Sequence, residues 1–175
     1  AQVPMLLENV VLAPFPFINK DKITDKEYYN VSVIIEDEDD KKFMDGMSMD
    51  ILKETTANSK DLIGKKTALK ILAAKFKHIL KYSKEDAELI KKGEPSKYKP
   101  RVDISVPKYD EKFNFVFINA KGEEQPQEDY SDFKTANPDA KYDVKFTIRH
   151  LWFGNKLTIK LVLNEIKVVS STNNN

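Results

Sequence analysis

The dipeptide Gly154-Asn155 stands between two long runs of β-forming residues, 142–153 and 156–169, and no other feature of the chain restricts its fold as tightly. Glycine and asparagine accept the positive φ angles that a two-residue hairpin turn requires. With Phe153 facing Lys156, Trp152 faces Leu157, Ile148 faces Leu161 and Phe146 faces Leu163, so the apolar positions of both strands meet on one side. The other side collects Lys145, Thr147, Arg149, Leu151 and Phe153 beside Lys156, Thr158, Lys160 and Val162, a face that mixes cations with apolar surface. Beyond Asn164 the apolar phase shifts to Ile166 and Val168, which predicts a bulge or a strand bending around a small barrel.

Other segments add strands and helices around this hairpin. Residues 3–18 are apolar but broken by Pro4, Pro14 and Pro16, which predicts an edge or bent first strand. In 28–35, Tyr29, Val31, Val33 and Ile35 alternate onto one face of a second strand. The acidic run 36–40 then leads into Phe43, Met44, Met47, Ile51 and Leu52, spaced as one helical stripe with carboxylates at the favourable N-terminal end. From Gly64 to Tyr82, Leu69, Leu72, Phe76, Ile79 and Leu80 make a second stripe, flanked by Lys66, Lys70, Lys77 and Lys81. Those lysines suit a solvated face, or a track for phosphates. Ser83 before Glu85 and Asp86, with Gly93 after Lys91-Lys92, brackets a further short helix. From Arg101 the pattern returns to β, with strands at 102–109 and 113–119 around a hairpin turn at 110–112, and with Phe113, Phe115 and Phe117 on one face. A turn at 120–122 and a polar excursion over 123–138 precede the final hairpin.

The chain has 175 residues, enough for one good core, and we read it as a single domain over 1–169 with a helical insertion around 39–93 and a disordered end at 170–175. The absence of cysteine excludes disulfides, thiolate metal sites and thiol nucleophiles and suits a reducing, cytoplasmic setting. No apolar run reaches the roughly 18 residues of a membrane span, and no signal peptide is recognisable, so a membrane partner is not expected. Net charge is only +1, so an argument for a polyanionic partner must rest on how charge is distributed. His78 and His150 sit in no motif, and the phosphate-loop, dinucleotide, zinc-protease and nucleophile-elbow patterns are missing. Neither catalysis nor a cofactor or metal is expected.

What remains is a sheet surface that interleaves cations with flat rings, the combination that holds a single nucleic-acid strand. The candidates are Arg101, Lys108, Tyr109, Arg149, Trp152, Phe153, Lys156 and Lys160. For Trp152 burial in the core is an equal alternative, because the hairpin register puts it on the apolar side. Tyr109 stands beside Lys108 after Pro107 and reads equally as an edge residue.

The order of elements is informative as a whole: a proline-broken first strand, YYNVSVIIEDEDD leading into a helix, FNFVFINAKGEEQPQEDYSDF, then AKYDVKFTIRHLWFGNKLTIKLVLNEIKVV. Over about three quarters of the chain this resembles the single-stranded DNA-binding proteins of short-tailed phages. The resemblance implies a mainly β fold with helical insertions (α+β), built on an OB-type Greek-key barrel. It implies a protein that coats and protects single strands in phage DNA replication, recombination and repair and promotes annealing. Residues 117–122 match the strand and turn before the variable segment, and 149–153 match the aromatic and basic hairpin region. A homodimer in the host cytoplasm is the expected form. The family usually ends in an acidic tail that contacts replication proteins, such as polymerase and helicase-primase. Here 170–175 read SSTNNN, so either the sequence is trimmed or this relative lacks the tail. The lysine-bearing stretch 60–81 has no counterpart in the family pattern. The competing reading is a non-catalytic phage structural or scaffold protein on a similar barrel, and retention on single-stranded DNA separates the two.

Overall fold

The computed structural model describes residues 4–12, 17–20, 27–95, 99–109, 112–119, 121–125, 140–153 and 157–170, with the backbone alone described at 17–20, 27–28, 108–109, 112, 125, 150–153 and 170. It is a mixed α+β structure that divides into two compact units, 1–35 with 101–149 and 161–175, and 36–100 with 150–160.

The first unit holds a large mixed sheet and a separate two-stranded one. Its strands are β1 (Met5–Leu12), β2 (Phe17–Lys20), β3 (Glu27–Ile34), β4 (Arg101–Val106), β5 (Lys108–Tyr109), β6 (Lys112–Phe113), β7 (Val116–Ile118) and β8 (Glu124–Gln125), with most of β9 (Lys141–Phe153) and β10 (Leu157–Ser170). β1 pairs antiparallel with β3 and with β9, β3 pairs antiparallel with β4, and β10 lies beside β9 while running parallel to β4. These pairings close a ring of five strands, β1-β3-β4-β10-β9, with β2 added outside β3 and β7-β8 continuing from β10. The ring forms because alternate residues of each strand are apolar: Leu7, Val31, Val33, Val102, Ile104, Val144, Phe146 and Leu163 are all buried. The side-chain phase of β10 shifts as the sequence predicts, from buried Leu161 and Leu163 to buried Ile166.

β1 is bent, as expected, but it is not an edge. Its register slips between Leu7 and Val10, where Asn9 adopts φ 55° and its N–H donates to Asp143 Oδ1 at 3.0 Å. Asparagine tolerates this left-handed conformation better than most residues. The strand can lie between two neighbours because Pro4 precedes it and Pro14 and Pro16 follow it in sequence, leaving 5–12 without a proline.

The second unit holds the helices α1 (Glu38–Ala57), α2 (Ser59–Ile63), α3 (Leu69–Lys75) and α4 (Lys84–Lys91). Asp37 caps α1, its carboxylate accepting from the Asp39 N–H at 2.8 Å, and Ser83 caps α4 by accepting from the Asp86 N–H at 3.1 Å. Gly93, at φ 76°, ends α4 as expected, its N–H donating to the Ile90 carbonyl at 3.0 Å. The α1 stripe is narrower than the spacing suggests: Met44, Met47 and Leu52 are buried, but Phe43 is exposed.

The helix expected over 64–82 is largely absent. α3 stops at Lys75, because Phe76 turns extended and bridges Leu157 in parallel, and the Lys77 N–H donates to the Leu157 carbonyl at 2.9 Å. Leu72 and Phe76 then pack with Leu52 and Leu157 into a small core, while Leu69 and Ile71 are left exposed. A strand contact from far along the chain has displaced local helical periodicity. Among the described residues no helix is long and apolar enough to cross a membrane.

Candidate nucleic-acid interface

The sheet unit carries a group of half-buried aromatic rings. The antiparallel β5–β6 hairpin, with Lys108 opposite Phe113 and Tyr109 opposite Lys112, brings Phe113 edge-on to Tyr29 of β3, ring centroids 5.2 Å apart. Phe115 follows, its ring 6.5 Å from that of Phe113 and tilted by 59°. Tyr29, Phe113, Phe115 and Phe117 are each half-buried. Rings with part of their surface open offer what a nucleobase needs, a flat apolar face that costs little entropy to hold still.

Beside this group the Asn119 side chain organises the turn into β8. Its Oδ1 accepts from the N–H groups of Lys121 and Glu123, both at 3.0 Å, and Gly122 completes the turn at φ 82°. A residue with a Cβ is strained at that φ.

Of the eight residues singled out by sequence, Arg101, Lys108, Tyr109 and Arg149 belong to the sheet unit, and Trp152, Phe153, Lys156 and Lys160 to the segment grouped with the helical unit. Register puts Lys108 and Tyr109 next to the aromatic group, with Lys108 directly across from Phe113. Arg101 starts β4 opposite Ile34, whereas Val106, at the other end of the strand, pairs with Tyr29. Arg101 is therefore roughly 16 Å along β4 from the rings, at about 3.3 Å per residue. Its Nε lies 3.5 Å from Asp103 Oδ1, which also accepts from Ser32 Oγ at 2.6 Å. Arg149 is exposed on β9 and belongs to the sheet unit; Lys160 is exposed on β10 and belongs to the helical unit. Trp152 and Phe153 are strand residues of β9 whose side chains lie outside the described part, as does the whole of Lys156.

The outward face of the final hairpin is less open than its sequence suggests. Thr147 and Val162 are buried, and Lys145 Nζ stands 3.9 Å from Glu165 Oε2. On the inward side Tyr142 is buried, and desolvation pushes its phenol above the usual tyrosine range.

The rings Tyr29, Phe113 and Phe115 were not among the sequence candidates. The shared face of Phe113, Phe115 and Phe117 was visible, but Tyr29 read as core, and only the β5–β6 hairpin brings it to Phe113. Among the described residues no three histidine, aspartate or glutamate side chains group to hold a metal ion.

No protein-family model and no curated protein matches the sequence. Solved structures do. The single-stranded DNA-binding protein of bacteriophage Enc34 in complex with ssDNA is 13% identical and aligns with a TM-score of 0.51 over 96% of this chain and 86% of that one. A second structure of the Enc34 protein aligns at 12% identity and a TM-score of 0.50, over 96% and 81% of the two chains. Its C-terminal truncation gives 12% identity and a TM-score of 0.54, over 96% and 86%. At such identity the likeness is one of fold, and it agrees with the resemblance read from the sequence: this chain is built like a phage single-stranded DNA-binding protein.

Proposed function

We propose that this protein binds single-stranded DNA without sequence preference and is not an enzyme. The observation that carries the reading is the half-buried aromatic group Tyr29–Phe113–Phe115 set on a closed five-strand ring. We read that ring as an OB-type barrel, a five-stranded Greek-key architecture that binds oligonucleotides on its sheet face. The parallel pairing of β4 with β10, which closes the ring, supports the assignment. Bases stack on the rings while Lys108, Arg149, Lys156 and Lys160 engage phosphates; Arg101, Tyr109, Trp152 and Phe153 complete the set inferred from sequence. The Enc34 protein, whose fold is similar, is a single-stranded DNA-binding protein. The biological setting that follows is coating and protecting single strands during phage DNA replication, recombination and repair, with annealing of complementary strands, by a homodimer in the host cytoplasm. Contacts with replication proteins, such as polymerase and helicase-primase, belong to the same proposal.

The test is a titration with oligo-dT and with duplex of equal length. Oligo-dT should bind much more tightly, because stacking platforms need exposed base faces. Equal affinity for both overturns the reading, and failure to retain either points to the scaffold alternative.

A further inference from the structure

Charge in the helical unit is segregated to a degree that the net charge of +1 conceals. Between Lys60 and Lys84 stand eight lysines and one carboxylate, Asp61; between Glu36 and Glu54 stand eight carboxylates and three lysines. Two of the unit's ion pairs, Lys41 with Glu38 and Lys99 with Glu36, lie at the acidic end.

The fold turns the basic segment into a surface. Leu72, Phe76, Ile79 and Leu80 are buried, which leaves Lys65, Lys66, Lys70, Lys75 and Lys77 exposed. The Phe76–Leu157 bridge and the hydrogen bond from Lys77 N–H to the Leu157 carbonyl pin this segment to the start of β10, which carries exposed Lys160. The lysines are thus held by a packed core rather than on a free loop. From Gly64 to Lys75 no aromatic residue interrupts them; the intervening side chains are threonine, alanine, leucine and isoleucine. Such a surface attracts phosphates, and the residues from Gly64 to Lys75 offer no ring on which a base could stack.

We infer that the helical unit carries its own contact surface for the phosphate backbone of single-stranded DNA, formed by Lys65, Lys66 and Lys70. This rests on the reading of the protein as a single-strand binder and adds to it a second, purely electrostatic surface. The surface contributes affinity through counterion release alone, so it is sensitive to salt and indifferent to base identity.

The experiment compares the full chain with the triple variant Lys65→Gln/Lys66→Gln/Lys70→Gln in oligo-dT titrations across salt, followed by tryptophan fluorescence. Each lost phosphate contact makes the log–log salt dependence shallower by about 0.7, so the triple variant should be shallower by about 2. Between about 50 and about 200 mM salt, the unmodified protein should then lose about twentyfold more affinity than the variant does. The fluorescence change at saturation should stay the same, because stacking is untouched. Lys70→Gln alone should shift the slope by about 0.7, which keeps the test valid should the triple variant melt early. A steep salt dependence that neither variant alters overturns this inference and leaves single-strand binding standing. A wild-type protein that does not bind oligo-dT overturns the underlying reading instead.

Discussion

Replacing Phe115 by leucine separates a stacking ring from a packing side chain. Phe115 is half-buried, and its ring meets that of Phe113 at 6.5 Å. Truncation to alanine removes about 0.5–1.5 kcal/mol of ring-pair energy. It also removes somewhat less than the roughly 3–5 kcal/mol that a fully buried phenylalanine loses, because part of the ring is already in water. Leucine keeps most of the apolar volume, so Phe115→Leu should cost less than about 1.5 kcal/mol of stability. A base stacked on the ring is worth roughly 1–3 kcal/mol, and leucine offers it no flat face. Oligo-dT affinity should therefore fall roughly 5- to 150-fold, at 1.36 kcal/mol per decade. Fluorescence titrations and thermal melts of the same preparation read both quantities. Phe146→Ala serves as the reference, since that ring is fully buried in the sheet core and its loss should lower stability by about 3–5 kcal/mol. If Phe115→Leu binds oligo-dT within about twofold of the wild type, the aromatic group is packing rather than a platform, and base stacking does not contribute at this site.

Two further outcomes follow from the final hairpin and the sheet core. Arg149→Ala and Phe153→Ala should each weaken DNA binding with little change in melting temperature, and Arg149→Ala should lower the salt slope by about 0.7. Ile148→Ala should instead lower stability, toward the low end of the roughly 2–5 kcal/mol range because Ile148 is only half-buried; if the two phenotypes exchange, the hairpin register is off by one. The phenol of Tyr142 is raised by burial, so the folded chain favours its protonated form. The stability this contributes is complete below the ordinary tyrosine range and is lost as pH rises through the raised folded value. Denaturant melts above about pH 10 should show this loss in the wild type and a weaker one in Tyr142→Phe.

Much of the fold was legible where structure is decided locally. Capping residues Asp37 and Ser83 mark helix starts because a short polar side chain satisfies an N–H two or three residues on. The alternation of Val31, Val33 and Ile35 marks β3 because both its buried face and its neighbours are regular. What was not legible depends on partners far along the chain. Phe76 continues a helical stripe in sequence, yet Leu157 draws it into a strand bridge. The first strand looks like an edge because of its prolines, but their positions leave 5–12 free to pair on both sides. The parallel pairing of β4 with β10 leaves no local signature at all. The candidate site behaves in the same way: the phenylalanine pattern was visible, whereas the meeting of Phe113 with Tyr29 is a product of the tertiary fold.

The register that sets Ile34 opposite Arg101 bears on how such a protein can change in length. Paired Cα atoms in an antiparallel ladder lie roughly 5 Å apart, and just beyond them Lys99 Nζ meets Glu36 Oε1 at 2.7 Å. Everything from 35 to 100 therefore leaves and re-enters the β3–β4 ladder through one narrow neck, as the loop of an overgrown hairpin. The entropy of closing a loop grows only with the logarithm of its length, so doubling this segment adds only about 0.6 kcal/mol. Such a neck tolerates the gain or loss of residues between the helices as long as Phe76 keeps its bridge to Leu157.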